Sequence, residues 1–207
     1  MKKSAILAAV SACALAFSLA PAVARAEGVG VNLGLRTGYA IALGDAMKDG
    51  KMSDAIAGAI PLHLDATYAI TPGFNAGLYV SYGLGMKGSK ESADSASTMA
   101  YGLQANLLFP GGWAGVFGGL ESVKMGAKAT TSQPALTATV SGWQAGLQGG
   151  ADWTVAPSFV VGPFASFAMG KYTGMKAEIG QQSLSADITE QAMHQWLTLG
   201  LRGSFSL

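Results

Sequence analysis

The stretch "NLGLRTGYAIALGD", residues 32–45, alternates almost without fault. Leu33, Leu35, Tyr39, Ile41 and Leu43 fall on one parity, with Thr37 its only polar member before the closing Asp45. Asn32, Gly34, Arg36, Gly38, Ala40 and Ala42 fall on the other. A β-strand sends alternate side chains to opposite faces, so one face here is bulky and apolar and the other small, with a single arginine. A soluble barrel or sandwich would turn the apolar face inward and wet the second. Glycine and alanine make an odd surface for water, so the question is what the apolar face meets.

The N-terminus bears on the answer. Lys2 and Lys3, the apolar run 5–19 and Ala24-Arg25-Ala26 supply the charged region, apolar region and A-x-A site of a secretory signal peptide. The run is short for a membrane-spanning helix. Residues 1–26 are therefore expected to be cleaved, leaving one domain, 27–207, that begins at Glu27. A retained anchor is one alternative. Another is lipoprotein processing at Val10-Ser11-Ala12-Cys13, which would strand more apolar sequence behind the cysteine. The chain reads as exported.

Cleavage takes Lys2, Lys3 and Arg25 from the 13 basic residues and leaves 10 against 12 acidic ones. A nearly neutral chain without charge runs offers no surface for nucleic acid. Cys13, the only cysteine, departs with the leader, so disulfide and thiol chemistry are not expected. Glycine is abundant, 29 in all, and charge is sparse. Yet the mature sequence has no run of about 18 apolar residues that would cross a membrane as a helix. Such a chain needs another way to be hydrophobic.

Seven further strand-like segments supply it. Residues 60–70 set Ile60, Leu62, Leu64, Ala66, Tyr68 and Ile70 against Pro61, His63, Asp65, Thr67 and Ala69. Residues 76–84 set Leu78, Val80, Tyr82 and Leu84 against Gly77, Tyr79, Ser81 and Gly83, and 99–109 set Tyr101, Leu103, Ala105, Leu107 and Phe109 against Gly102, Gln104 and Asn106. Segments 143–155 and 197–207 are equally regular, whereas 113–123 and 159–172 have ambiguous parity. Thr71-Pro72-Gly73, Pro110-Gly111-Gly112 and Ala156-Pro157-Ser158 are tight-turn signals. They alternate with longer polar stretches near 44–59, 86–97, 124–139 and 173–193. An even strand count, short turns at one end and long loops at the other predict an all-β, eight-stranded antiparallel up-and-down transmembrane β-barrel.

Trp143 and Trp153 share the apolar face, ten residues apart. That is roughly 33 Å along a strand, or roughly 25 Å along the axis at a tilt of about 40°, the height of a barrel's apolar band. The aromatics sort into two girdles: Tyr39, Tyr82, Tyr101 and Trp143 toward the long loops, and Tyr68, Phe109, Trp113, Trp153 and Phe159 toward the tight turns. The apolar face then meets lipid. The small face lines a lumen so narrow that glycine must leave room for each arginine or tyrosine. A closed barrel also leaves no unpaired edge in the hydrocarbon.

The chain resembles the small outer-membrane β-barrel proteins of Gram-negative bacteria. The resemblance is carried by "GAIPLHLDATYAITPGFNAGLYVSYG" (58–83) and "HQWLTLGLRGSF" (194–205), and it covers the mature chain. It implies a cell outer-membrane location, periplasmic N- and C-termini, and outer-membrane lipid as surroundings. It also implies recognition by the barrel-assembly machinery through Gly200-Leu201-Arg202-Gly203-Ser204-Phe205, although Ser206 and Leu207 follow that Phe. It brings no activity with it.

Chemistry is hard to place on this chain. His63 and Asp65 share a lumen face and would suit an acid–base pair, but a buried polar pair is the simpler reading. There is no G-x-S-x-G, no His-x-Ser and no P-loop, and the two histidines are scattered without a Cys cluster. No catalysis, cofactor or metal is expected. Arg36, His63, Asp65, Gln104, Gln148, Asp152 and Arg202 are read as a polar network plugging the lumen, with Tyr79, Asn106 and Gln144 also inward. The favoured role is a structural or surface-interaction barrel, monomeric, whose long loops touch an unidentified extracellular partner. The alternative is a barrel binding or transporting a small hydrophobic ligand from the outer leaflet. A packed polar lumen favours the first, an open apolar cavity the second.

Three finer expectations follow. Pro163 removes a ladder donor, which predicts a β-bulge near Gly162-Pro163. Stretches 125–140 and 175–190 can each continue their strands as a hairpin above the membrane, exposing a sheet edge, with a mobile solvated loop as the alternative. Charged lumen residues are expected to pair, because an isolated charge in so narrow a space costs several kcal/mol.

Overall fold

The computed structural model describes residues 30–47, 50–88, 94–127, 135–180 and 182–207. The signal-peptide reading and the loop centre 132–134 lie outside the described residues. The elements are β1 (Val31–Met47), β2 (Gly50–Lys51), a helical turn (Met52–Ala55), β3 (Ile56–Thr71), β4 (Phe74–Lys87), β5 (Ser95–Phe109) and β6 (Gly112–Ala127). They continue with β7 (Leu136–Ala151), β8 (Trp153–Ala156), β9 (Phe159–Ile179), β10 (Gln182–Asp187) and β11 (Met193–Ser206).

Antiparallel pairing runs β11–β1–β3–β4–β5–β6–β7–β9 and returns to β11, which closes an eight-stranded barrel with β8 extending β7. Two-residue turns close one end, at Pro72-Gly73, Pro110-Gly111 and Pro157-Ser158. Gly111 has φ +78°, the left-handed conformation required after Pro110 in such a turn. The start of β1 and the end of β11 meet at this same rim, where the Leu207 amide donates to the Val31 carbonyl and the Ser206 amide to the Ser158 carbonyl.

The barrel is inverted relative to a soluble one. Leu64, Leu78, Leu103, Leu147 and Leu201 are more than half exposed on its outer wall, whereas Arg36, Asp65, Gln104, Asn106, Gln148 and Arg202 are buried inside. The alternation of residues 32–45 thus places Leu33, Leu35, Tyr39 and Leu43 outward and Asn32, Arg36, Ala40 and Ala42 inward. Among the described residues, the apolar core lies inside the long-loop end. There the helical turn drops Met52 and Ile56 into the mouth against Ala40, Ala42, Ala59, Val123 and Val140.

Glycines make room for the large inward rings. A Cβ on Gly200 would meet the Phe164 ring at 2.9 Å, and one on Gly150 would meet the Trp113 indole at 2.8 Å. This second contact explains a correction. Trp113 does not join the lower girdle: it is 1% exposed, occupies the slot left by Gly150 and forms the lumen floor. The other girdle aromatics point outward, with Phe159 half-buried.

The expected bulge at Gly162-Pro163 is also absent. Residues 159–171 pair with β11 without a register shift, and the pairs Gly150–Phe164 of β7 and Trp153–Val161 of β8 keep one register across Pro163, the shift on β8 lying beyond it between Thr154 and Ala156. The Pro163 carbonyl points toward Gly150, so the missing N–H falls on that side, and the ladder there merely breaks between β7 and β8 at Asp152. The bulge lies higher, at Thr173, between the pairs Gly142–Tyr172 and Ser141–Gly174. Above it β9 turns through Gly180 (φ +59°) into β10, so 174–187 form a hairpin beyond the barrel. β6 and β7 likewise extend to Ala127 and from Leu136.

Candidate functional site

Two polar clusters are stacked in the lumen. The lower one is built on Arg36 of β1 and Asp65 of β3, whose charged atoms lie 2.7 Å apart. Arg36 Nη1 donates to Gln148 Oε1 of β7 at 2.8 Å, bridging the barrel's width. Gln104 of β5 donates to the same Asp65 oxygen at 2.9 Å, and Gln148 donates to Gln104 and Asn106, each at 2.8 Å. Asn106 then donates to Asn75 of β4. Five strands are tied together through side chains alone. Below them Arg202 lies 3.5 Å from Asp152 and stacks 4.4 Å over the Trp113 ring.

The upper cluster has another plan. Glu121 of β6 is buried and accepts at Oε1 from the Tyr172 hydroxyl (3.0 Å) and the Trp196 indole N–H (2.9 Å). At Oε2 it faces His194 Nε2, 3.1 Å away. Tyr172 and His194 stack with centroids 4.1 Å apart and planes 7° from parallel. Met52 closes the top, its sulfur 3.9 Å from the Tyr172 hydroxyl.

Between the clusters lies a cavity of about 60 Å³ lined by Arg36, His63, Tyr79, Gln144, Ser166 and Thr198 among others. It has room for a few water molecules. His63 borders it with both ring nitrogens unpartnered among the described protein atoms, and its ring edge meets Phe164. His63 and Asp65 therefore do not form a hydrogen-bonded acid–base pair, since the Asp65 carboxylate is engaged by Arg36 and Gln104.

Of the residues read from the sequence as a lumen network, Arg36, Asp65, Gln104 and Gln148 stand in one cluster and Asp152 with Arg202 in another beneath it. The centre of the upper cluster is new. Glu121 and Tyr172 lie on the two strands of ambiguous parity, which concealed their facing. Counting back in twos from Arg202 through Thr198 would have turned Trp196 and His194 inward.

A closed eight-stranded antiparallel barrel with an apolar wall and a polar packed lumen is the fold of the small outer-membrane β-barrels. Solved structures agree. Neisserial surface protein A aligns with a TM-score of 0.54 at 13% identity, covering 84% of this chain and 96% of that one. A major outer membrane protein from Thermus thermophilus aligns at 0.54 and 10% identity, covering 86% and 99%. Outer membrane protein AlkL, solved in lipid bilayers, aligns at 0.51 and 15% identity, covering 90% and 95%. At such identities the likeness is one of fold. No protein-family model and no curated protein sequence matches the chain.

Proposed function

We propose that the protein is an integral outer-membrane barrel that acts by surface contact, as neither channel nor enzyme. On this reading residues 1–26 are removed on export, the tight turns and both termini face the periplasm, and the long loops face outward. The carrying observation is the closed lumen: the lower network spans five strands, the upper cluster is sealed by Met52 and Ile56, and the space between is about 60 Å³. A cavity of that size holds little more than water, so uptake of a hydrophobic ligand through the lumen finds no support. What remains for contact is the region above the membrane. There β10 is exposed along its whole length and pairs with β9 on one side.

The test has two arms. Purified protein in planar bilayers is expected to give no stable single-channel currents, and protease added to intact cells is expected to cut within 44–59 or 173–193. Steady unitary currents would overturn the closed-lumen reading. Cleavage confined to 71–73 or 156–158 would overturn the orientation.

A further inference from the structure

Above the upper aromatic girdle, the outer wall formed by β5, β6, β7 and β9 changes character in three successive rows. Cross-strand pairing sets Tyr101, Leu120, Trp143 and Lys171 side by side. One pleat higher Ser122 pairs with Ser141, and the bulge at Thr173 adds a third hydroxyl beside them. One pleat higher again, Lys124, Thr139 and Lys176 form a row. All three rows keep the outward parity of Trp143. The sequence runs from aromatic to hydroxyl to cation.

A groove of about 290 Å³ follows the lower two rows, lined by Tyr101, Leu120, Ser122, Ser141, Trp143 and Thr173. The Thr173 hydroxyl also lies 3.5 Å from the Ser141 carbonyl. Glu121 contributes to this wall but turns its carboxylate into the lumen, toward Tyr172 and Trp196. Among the described residues of these strands and β10, two carboxylates share the outer face, and both lie beyond the groove. Glu178 pairs with Lys176 at 2.6 Å one pleat above the lysine row, and Asp187 lies one strand further round, opposite Gly174. The groove is lined by neutral groups apart from Glu121, and its rim carries three cations, Lys171, Lys124 and Lys176, against Glu178, which feels both Lys176 and Lys124, and Asp187.

Its height fits a lipid headgroup. Lys124 is four residues beyond Leu120, about 13 Å along the strand and about 10 Å along the axis at a tilt of about 40°. Aromatic rings sit at the membrane interface, and lysines reach back along their stems toward phosphates. We propose that this groove seats the phosphate-bearing headgroup of a membrane lipid from the leaflet on the long-loop side. Trp143 and Tyr101 pack on its backbone, Ser122, Ser141 and Thr173 bond its oxygens, and Lys124, Lys171 and Lys176 pair with its charge. The inference rests on the membrane-spanning fold and not on the surface-contact role.

The test uses purified protein in phosphatidylcholine nanodiscs doped with phosphatidic acid, with retained lipid counted by native mass spectrometry. Wild-type protein is expected to retain phosphatidic acid selectively. Lys124→Gln with Lys176→Gln is expected to weaken that selectivity by about fivefold for each charge removed. Lys87, a long-loop-end lysine that pairs with Asp94 away from the groove, serves as control, and Lys87→Gln is expected to change nothing. Heat-modified gel mobility confirms that each variant is folded. No selectivity in the wild type, unchanged retention in the double variant, or an equal loss in Lys87→Gln would sink the proposal. So would release of the bound lipid by millimolar inorganic phosphate, which would mark a site for a free anion.

Discussion

The two halves of the lumen handle the same difficulty, polarity buried in a narrow space, by different means. In the lower half opposite charges cancel: Arg36 meets Asp65 at 2.7 Å, and amides extend the pair to five strands. In the upper half a single carboxylate accepts from two donors, Tyr172 and Trp196, and faces His194, under an apolar lid. The first arrangement braces the barrel across its width. The second joins β6 to β9 and β11 locally and depends on Met52 to keep water out. The lower cluster should therefore govern global stability and the upper one the integrity of the mouth.

The largest expected effect breaks the lower cluster. Asp65→Ala leaves Arg36 buried without its carboxylate, and losing one member of a buried pair costs about 3–5 kcal/mol. The urea midpoint in phospholipid vesicles should fall accordingly. Arg36→Met combined with Asp65→Ala should recover much of the loss, because removing both charges also removes their desolvation cost. If the two substitutions merely add, charge cancellation is not what holds this cluster.

Glu121→Gln tests the contrast. The amide keeps one oxygen for Tyr172 and Trp196 but turns an N–H₂ toward His194, so one partner is mismatched. A cost of about 1–3 kcal/mol is expected, below that of Asp65→Ala in the same assay. A larger loss than Asp65→Ala would reverse the ranking of the two halves.

The lid should register locally. Met52→Ala removes the contact over Tyr172, and a short turn of this kind opens without unfolding the barrel. In a background where Trp113, Trp143 and Trp153 are Phe, leaving Trp196 as the only tryptophan, acrylamide quenching should rise on Met52→Ala with a smaller midpoint change than for Glu121→Gln. Unchanged quenching would mean that other groups seal the mouth.

The same contrast separates what the sequence discloses from what it hides. Strands with strict alternation disclosed both their facing and their chemistry, which is why Arg36, Asp65, Gln104 and Gln148 could be assigned to one lumen. Parity failed on 113–123 and 159–172 because small residues occupy both faces there: Gly115, Gly118 and Gly119 on β6, and Gly162, Ala165 and Ala168 on β9. A glycine facing lipid and one making room inside look alike in sequence. Trp113 therefore reads as a girdle residue, and the facing of Glu121 has no mark in the pattern. Pro163 misled for another reason. A missing N–H interrupts one ladder without inserting a residue, so the register survives, and the bulge at Thr173 has no comparable mark in the sequence.

The smallest expected effect sets the scale for the others. Lys176 and Glu178 on the outer hairpin approach to 2.6 Å, as close as Arg36 and Asp65, but both are about half exposed. The Lys176 ammonium, by hydrogen bond and by charge, holds the Glu178 carboxyl below the usual carboxylate range. A folded-state pKa lowered in this way contributes stability above the unfolded value, and that contribution fades as pH falls through the lowered one. Water and salt screen the pair, however, and exposed pairs of this kind contribute little. Glu178→Gln should leave the urea midpoint at neutral pH unchanged within error and should alter it no more at pH 3 than at pH 7. A midpoint drop at neutral pH approaching that of Asp65→Ala would show that separation, and not burial, sets what an ion pair contributes in this barrel.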